Sequence, residues 1–330
     1  MEGLDTSQDS TIWLSAAKGL RLFVRRWVSV KPGLEKPRAV LQLVHGMAEH
    51  SLRYERLARR LNAEGVEVWA MDLRGHGYTA DLKVNDPGWG GCLGHCADHD
   101  GFSLVTGDID ALNHLILEKW PGLPLFLMGH SWGSFLVQNY IESYGGVKGI
   151  KLAGCVLSGT RGPDGLKVRL GVPAMNFFSR FAGVRRYSSL CRALADGPYN
   201  KPFRPNRTPY DWLSRDTGEV DKYAADPLCG KLCSAGFYRD LTALLDHIHR
   251  PERMERIDRR LPIYVFSGSA DPVGEMGASP TTLVDAYRTM GIDNLEFVLY
   301  PDARHEPLNE TNREEVTENL LTWILKHIPE

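Results

Sequence analysis

Short apolar runs alternate with longer amphipathic runs along most of this chain, and that alternation restricts the fold more than any other feature of the sequence. Residues 21–29 (RLFVRRWVS) and 39–45 (AVLQLVH) read as strands, followed by a helix with apolar positions at Leu57, Ala58 and Leu61. Residues 66–71 (VEVWAM) form the next predicted strand. A helix is expected near 102–119, a buried strand at 125–129, a helix over about 134–144 and a strand at 152–157. Repeated strand-then-helix order is what a parallel sheet requires, because parallel neighbours are joined by crossover connections. The strands are apolar almost throughout, which implies helices on both faces of the sheet.

The rhythm breaks between residues 159 and 251, which are rich in Arg, Pro and Gly and hold short helical pieces but no convincing core strand. It resumes with strands at 262–267 (PIYVFS) and 295–300 (LEFVLY), separated by a helix near 281–289 and closed by a helix over 313–326. The expected architecture is α/β: a mostly parallel central sheet flanked by helices, built from residues 1–158 and 252–330. Residues 159–251 are then a helical cap inserted after the sixth core strand.

Charge narrows the partners. With 39 basic and 41 acidic residues among 330, the net charge is −2, and no block of like charge is long enough to hold a nucleic acid. No stretch reaches the ~18 uninterrupted apolar residues of a membrane span, and the first ten residues lack a signal-peptide core, so a cytoplasmic location is expected. Six scattered cysteines fit free thiols in a reducing compartment. Cys92, His95, Cys96 and His99 lie close together, but their spacing departs from the paired elements of a zinc site. Cys229 and Cys233 could complete such a site only through tertiary structure. Neither a metal nor another cofactor is expected.

Chemistry concentrates at Gly129-His130-Ser131-Trp132-Gly133, a G-x-S-x-G pattern between a predicted buried strand and a predicted amphipathic helix. Such a strand-turn-helix setting exposes the serine on a tight turn, and the glycines allow neighbouring chain to approach. A serine hydroxyl is a weak nucleophile near neutral pH, so a base must take its proton and a third group must orient that base. Asp271, closing SGSADP after one late strand, and His305, closing PDARHE after the last, supply both. Groups at the carboxyl ends of parallel strands can converge although distant in sequence. Two backbone N–H groups are then needed for the developing oxyanion. Trp132, after the nucleophile, and Met47, in the loop after residues 39–45, are the candidates.

The quoted residues, with HGMAEH (residues 45–50), DLRGHG (72–77), GHSWGS, GSADPVG and ARHEPLNE, resemble the monoacylglycerol lipase and bacterial lysophospholipase group of serine α/β-hydrolases over nearly the whole chain. The resemblance implies the triad Ser131, Asp271 and His305, oxyanion donors Met47 and Trp132, a lid formed by the insertion, and a substrate with one long acyl chain. The stretches WLSRD (212–216) and EVDKYAADPLCG (219–230) resemble that group's cap, which implies that Cys229 is near the pocket. His76 reads as a structural loop residue. Arg185 and Arg186 make residues 180–192 more basic than a purely lipid-facing lid requires.

Met175, Phe177, Phe178 and Phe181 cluster within the insertion and are candidates to line an acyl tunnel. The expected substrate is a small lipid or ester, with transient contact between the lid and a membrane surface. A small-ester esterase, an aminopeptidase or an acyltransferase would use the same elbow, and a non-catalytic scaffold could share the fold. Amino-acyl amides are expected to be poor substrates, because nothing near the elbow offers a convincing carboxylate pair for a free amino group.

Overall fold

The computed structural model describes residues 8–29, 31, 33–144, 150–163, 166–195 and 197–329. Eight strands form one sheet: β1 (Ser10–Ser15), β2 (Arg21–Trp27), β3 (Ala39–Val44), β4 (Val66–Met71), β5 (Leu125–His130), β6 (Gly154–Ser158), β7 (Ile263–Gly268) and β8 (Leu295–Tyr300). Their order is β1-β2-β4-β3-β5-β6-β7-β8. Pairing is antiparallel for β1 with β2 and for β2 with β4, and parallel from β4 through β8. β1 is the strand that the apolar pattern does not announce. Its STIWLS alternates between half-buried and exposed residues, as expected of an edge strand paired on one side only.

Alternate side chains of each central strand point to opposite faces, and the two faces form separate apolar clusters. Leu41, Phe126, Val156 and Phe266 pack on one face with α1 (Glu55–Asn62) and α10 (Arg313–Lys326), through Leu57, Leu61, Leu320 and Trp323. Val40, Leu127, Leu157 and Val265 pack on the other with α2 (Gly101–Lys119), α3 (Trp132–Ser143) and α9 (Ala278–Thr289). Burial on both faces explains why these strands read as unbroken apolar runs.

Between β6 and β7 the chain forms α4 (Leu166–Ala182), α5 (Ser189–Ala195), α6 (Thr217–Ala225), α7 (Ala235–Ile248) and α8 (Pro251–Met254). The third helix of the core starts at Trp132, two residues earlier than the periodicity implied, so it follows Ser131 directly. Among the described residues no helix is long and apolar enough to cross a membrane.

Candidate active site

Ser131 occupies the single residue between β5 and α3, at φ 54° and ψ −125°. A positive φ is uncommon for a residue with a side chain and marks a strained turn. The turn is held by the Ser131 N–H, which donates to the Ser158 carbonyl at 2.9 Å. Both glycines of the motif are required by close backbone approach: a Cβ on Gly129 would strike the Gly133 carbonyl, and one on Gly133 would strike the Val44 and His45 carbonyls. The elbow is thereby wedged against the end of β3.

His305 lies in the loop after β8 and Asp271 in the loop after β7, and the parallel strands deliver both to the edge of the sheet that carries Ser131. His305 Nε2 is 2.8 Å from Ser131 Oγ, and Nδ1 is 3.0 Å from each oxygen of Asp271. Asp271 also accepts from the Val273 N–H at 2.8 Å and the Ser267 hydroxyl at 3.3 Å. Burial opposes charge on Asp271, yet His305 and the Val273 N–H outweigh it and hold the carboxyl below its ordinary range. An ionised Asp271 places the imidazole proton on Nδ1 and turns the Nε2 lone pair toward the serine hydroxyl. Burial alone would lower the His305 pKa, but the Asp271 carboxylate more than offsets it, so the net shift is upward from 6.5. The ring is packed between His130 and Trp212, at centroid separations of 4.9 and 5.1 Å. Burial, and then His305, push His130 down to about 4 and keep it neutral near pH 7.

The loop after β3 completes the arrangement. His45 Nε2 accepts the Leu73 N–H at 2.9 Å, which leaves the proton on Nδ1 to donate to the Gly46 carbonyl at 2.8 Å. In a trans peptide the N–H points opposite the C=O, so the bond from His45 to Gly46 aims the Met47 N–H away from His45. Among the described residues, neither the Met47 nor the Trp132 N–H has an acceptor. Met47, Ser131 and His305 line one open cavity of about 520 Å³, mouth included.

Glu49 and Glu306 line the same cavity, and neither was singled out from the sequence. The structure thus brings near the elbow two carboxylates that the sequence did not suggest as neighbours. Arg53 bridges them, with Nη1 donating to both and Nη2 to Glu306 at 2.7 Å. Glu49 also accepts from Gly46 N–H and Tyr54 Oη. Burial would raise the Glu49 pKa, but Arg53, His130 and His45 bring it to about 2. The i, i+4 spacing of Glu49 and Arg53 was a visible signal. Their meeting with Glu306, 253 residues beyond Arg53, was not.

Other sequence candidates fall elsewhere. Phe177 and Phe181 are 65% and 72% exposed and touch each other with tilted rings, centroids 4.3 Å apart, while Met175 and Phe178 are half-buried against the core. None of these four side chains lines the cavity beside Ser131. Phe177 and Phe181 are one helical turn apart, so they share the face of α4 that is turned to solvent. Cys229 is buried against Leu213 and Tyr223, which line the cavity, and so sits one layer behind it. His76 is also buried, donates to the Arg74 carbonyl at 2.9 Å, and is pushed down to about 3 chiefly by burial. In the run considered for zinc, His95 is engaged by Ser234 and Asp98, Cys96 by the Arg74 carbonyl and Cys92 by the Pro87 carbonyl, while His99 is exposed.

The sheet order, the serine on the turn after β5 and its histidine partner after the last strand define the α/β-hydrolase class of serine hydrolases. Residues 35–312 match the family model described as serine aminopeptidase, S33. The chain is 30% identical over 295 residues to a monoacylglycerol lipase of Mycolicibacterium smegmatis, covering 88% of this chain and 90% of that one. It is 30% identical over 266 residues to the monoglyceride lipase of Homo sapiens, covering 77% and 71%. Among solved structures, a thermostable carboxyl esterase from Bacillus coagulans in complex with glycerol superposes with a TM-score of 0.86 at 26% identity, covering 98% of this chain and all of that one. The chain belongs to the monoglyceride-lipase-like family of serine α/β-hydrolases.

Proposed function

We propose that this protein hydrolyses esters carrying one long acyl chain, such as monoacylglycerols or lysophospholipids, through an acyl-enzyme on Ser131. The 2.8 Å contact between Ser131 Oγ and His305 Nε2 carries the reading. As Oγ attacks the ester carbonyl, Nε2 takes its proton and Asp271 stabilises the imidazolium. The tetrahedral oxyanion accepts the two acceptor-free N–H groups of Met47 and Trp132. Collapse expels the alcohol, which leaves with the proton from Nε2. Water, activated by the same histidine, then releases the fatty acid and restores the serine.

The long acyl chain is supported by the relatives named monoacylglycerol lipase, at 30% identity. Kinetics on esters from acetyl to palmitoyl, beside an amino-acyl amide, test it. Each added methylene should raise kcat/KM by roughly fourfold until the apolar space is full. A maximum at acetyl would reassign the protein to small esters. The aminopeptidase reading is favoured by the description of the matching family model. Against it, every oxygen of Glu49 and Glu306 already accepts a hydrogen bond, from Arg53, the Gly46 N–H, the Tyr54 hydroxyl or the Asn309 amide, so a substrate ammonium would have to displace one of these donors to pair with either carboxylate. Preference for the amide would reverse that choice.

In this reading residues 159–251 are a lid on a core of residues 1–158 and 252–330. Three backbone hydrogen bonds support it: His305 N–H to Trp212 O, Glu306 N–H to Leu213 O, and Gly230 N–H to Ala48 O. The exposed apolar side chains Leu170, Phe177, Phe181, Leu190 and Leu194, with exposed Arg169, Arg180 and Arg186 nearby in sequence, support transient lid contact with an anionic membrane surface. Phe177→Ser with Phe181→Ser should reduce co-sedimentation with phosphatidylserine vesicles severalfold. Undiminished binding would remove the lid from the membrane contact.

A further inference from the structure

One layer behind the cavity, three side chains of different donor chemistry meet. His50 closes the loop after β3, Asp226 follows the last residue of α6, and Cys229 lies three residues further on. His50 Nε2 and Asp226 Oδ2 are 2.8 Å apart. A ring nitrogen of His50, a carboxylate oxygen of Asp226 and Cys229 Sγ all lie within 4.8 Å of one another. Among the described residues no other group of His, Cys, Asp and Glu side chains converges in this way. Asp226 Oδ1 is occupied by the Leu228 N–H at 2.8 Å, which turns Oδ2 toward His50. The His50 side chain is 4% exposed and that of Asp226 29%, so the group is enclosed except on the Asp226 side, through which an ion can enter.

From this convergence we infer that His50, Asp226 and Cys229 form a binding site for a borderline-soft divalent cation of the zinc class. One nitrogen, one oxygen and one sulfur donor suit Zn²⁺ or Co²⁺, whereas Mg²⁺ and Ca²⁺ take oxygen donors. With ligand bonds of about 2.0–2.3 Å in a tetrahedral site, the nitrogen-to-oxygen separation must open by roughly half an ångström and the sulfur must close in, with water in the fourth position.

The proton balance is simple. The metal replaces the Cys229 thiol proton, which leaves to buffer, and a proton on His50 Nε2 shifts to Nδ1. Nδ1 is buried and has no hydrogen-bond partner, so that tautomer change breaks no other contact. No oxidation or reduction is involved. The site spans two segments already tied together, because the Ala48 carbonyl accepts both the Gly230 N–H at 2.8 Å and the Tyr223 hydroxyl at 3.0 Å. A bound ion would clamp the loop that carries Met47 to the helical segment.

The test is titration of the full chain, kept reduced, with Co²⁺ in weak buffer. The wild type should develop thiolate-to-cobalt charge-transfer absorption at one ion per chain and release close to one proton per ion near neutral pH. Zn²⁺ should displace the colour, whereas excess Mg²⁺ should not. Cys229→Ser should abolish the absorption, and Asp226→Asn and His50→Gln should each weaken binding by tenfold or more. Cys92→Ser should change nothing, since Cys92, alone of the six cysteines, is not fully buried and would be the source of adventitious binding. Asp226, being partly exposed, keeps the test valid if the buried Cys229 variant folds poorly. Charge-transfer absorption that survives Cys229→Ser, an Asp226→Asn variant that binds Co²⁺ as tightly as the wild type, or no absorption in the wild type at millimolar Co²⁺, would overturn the site. Because the readout is metal binding and not turnover, its failure is separable from failure of the ester-hydrolase reading.

Discussion

Replacing Ser131 with alanine is expected to leave a folded protein whose kcat/KM on its ester substrate has fallen by about 10⁴-fold or more. The size of the loss follows from the role proposed for Oγ as the attacking atom, since the histidine and the oxyanion donors can do little without it. The structure also explains why the fold should survive. Ser131 precedes α3, but its hydroxyl makes no capping hydrogen bond, so the helix loses no partner. The strain at φ 54° falls on alanine as it does on serine, and the deleted oxygen leaves almost no cavity. Three measurements belong together: ester turnover, covalent labelling by a fluorophosphonate, and the melting temperature. The variant should lose the first two and keep the third. Turnover retained in a contaminant-free preparation would remove Ser131 from the chemistry, and a wild type that neither labels nor turns over esters would make the chain a scaffold.

Asp271→Asn should produce a loss of similar order, about 10⁴-fold in kcat, through the histidine rather than through the serine. An amide can present an N–H to Nδ1, which moves the imidazole proton to Nε2 and leaves the Ser131 hydroxyl facing a donor. The pH profile separates this effect from general damage. In the proposed mechanism only neutral His305 acts as base, so wild-type kcat/KM should fall as pH drops through the histidine pKa. Because Asp271 raises that pKa, the acid limb of the wild type should have its midpoint above 6.5. Without the carboxylate, burial is left as the dominant influence and favours the neutral ring, so the limb of the variant should move to lower pH. A variant with unimpaired turnover would mean that another acid orients His305. An acid limb that does not move would mean that the carboxylate does not set the charge of the ring.

Much of the architecture was legible because it is written in short-range patterns. Residues 66–71 were predicted as a strand and residues 313–326 as a helix from periodicity alone, and both elements have those bounds. β1 escaped because a half-exposed edge strand mixes polar and apolar residues and carries no unbroken apolar run. The stretch containing Met175, Phe177, Phe178 and Phe181 was recognisably apolar, but composition does not say which way a helix turns. Packing of α4 against α7 does, and it leaves Phe177 and Phe181 outward.

By itself, the sequence determined the turn at Ser131, through a strand, a glycine-flanked serine and a helix in immediate succession, and it determined the chain order in which an acid and a histidine follow late strands. These are local properties of backbone conformation and side-chain spacing. Only the tertiary structure decided that Arg53 neutralises Glu306, that His50 faces Asp226 across 176 residues, and that Cys229 stands one layer behind the cavity. Such contacts depend on how the sheet and the helical segment pack together. Periodicity within any single element carries no information about a partner that far along the chain.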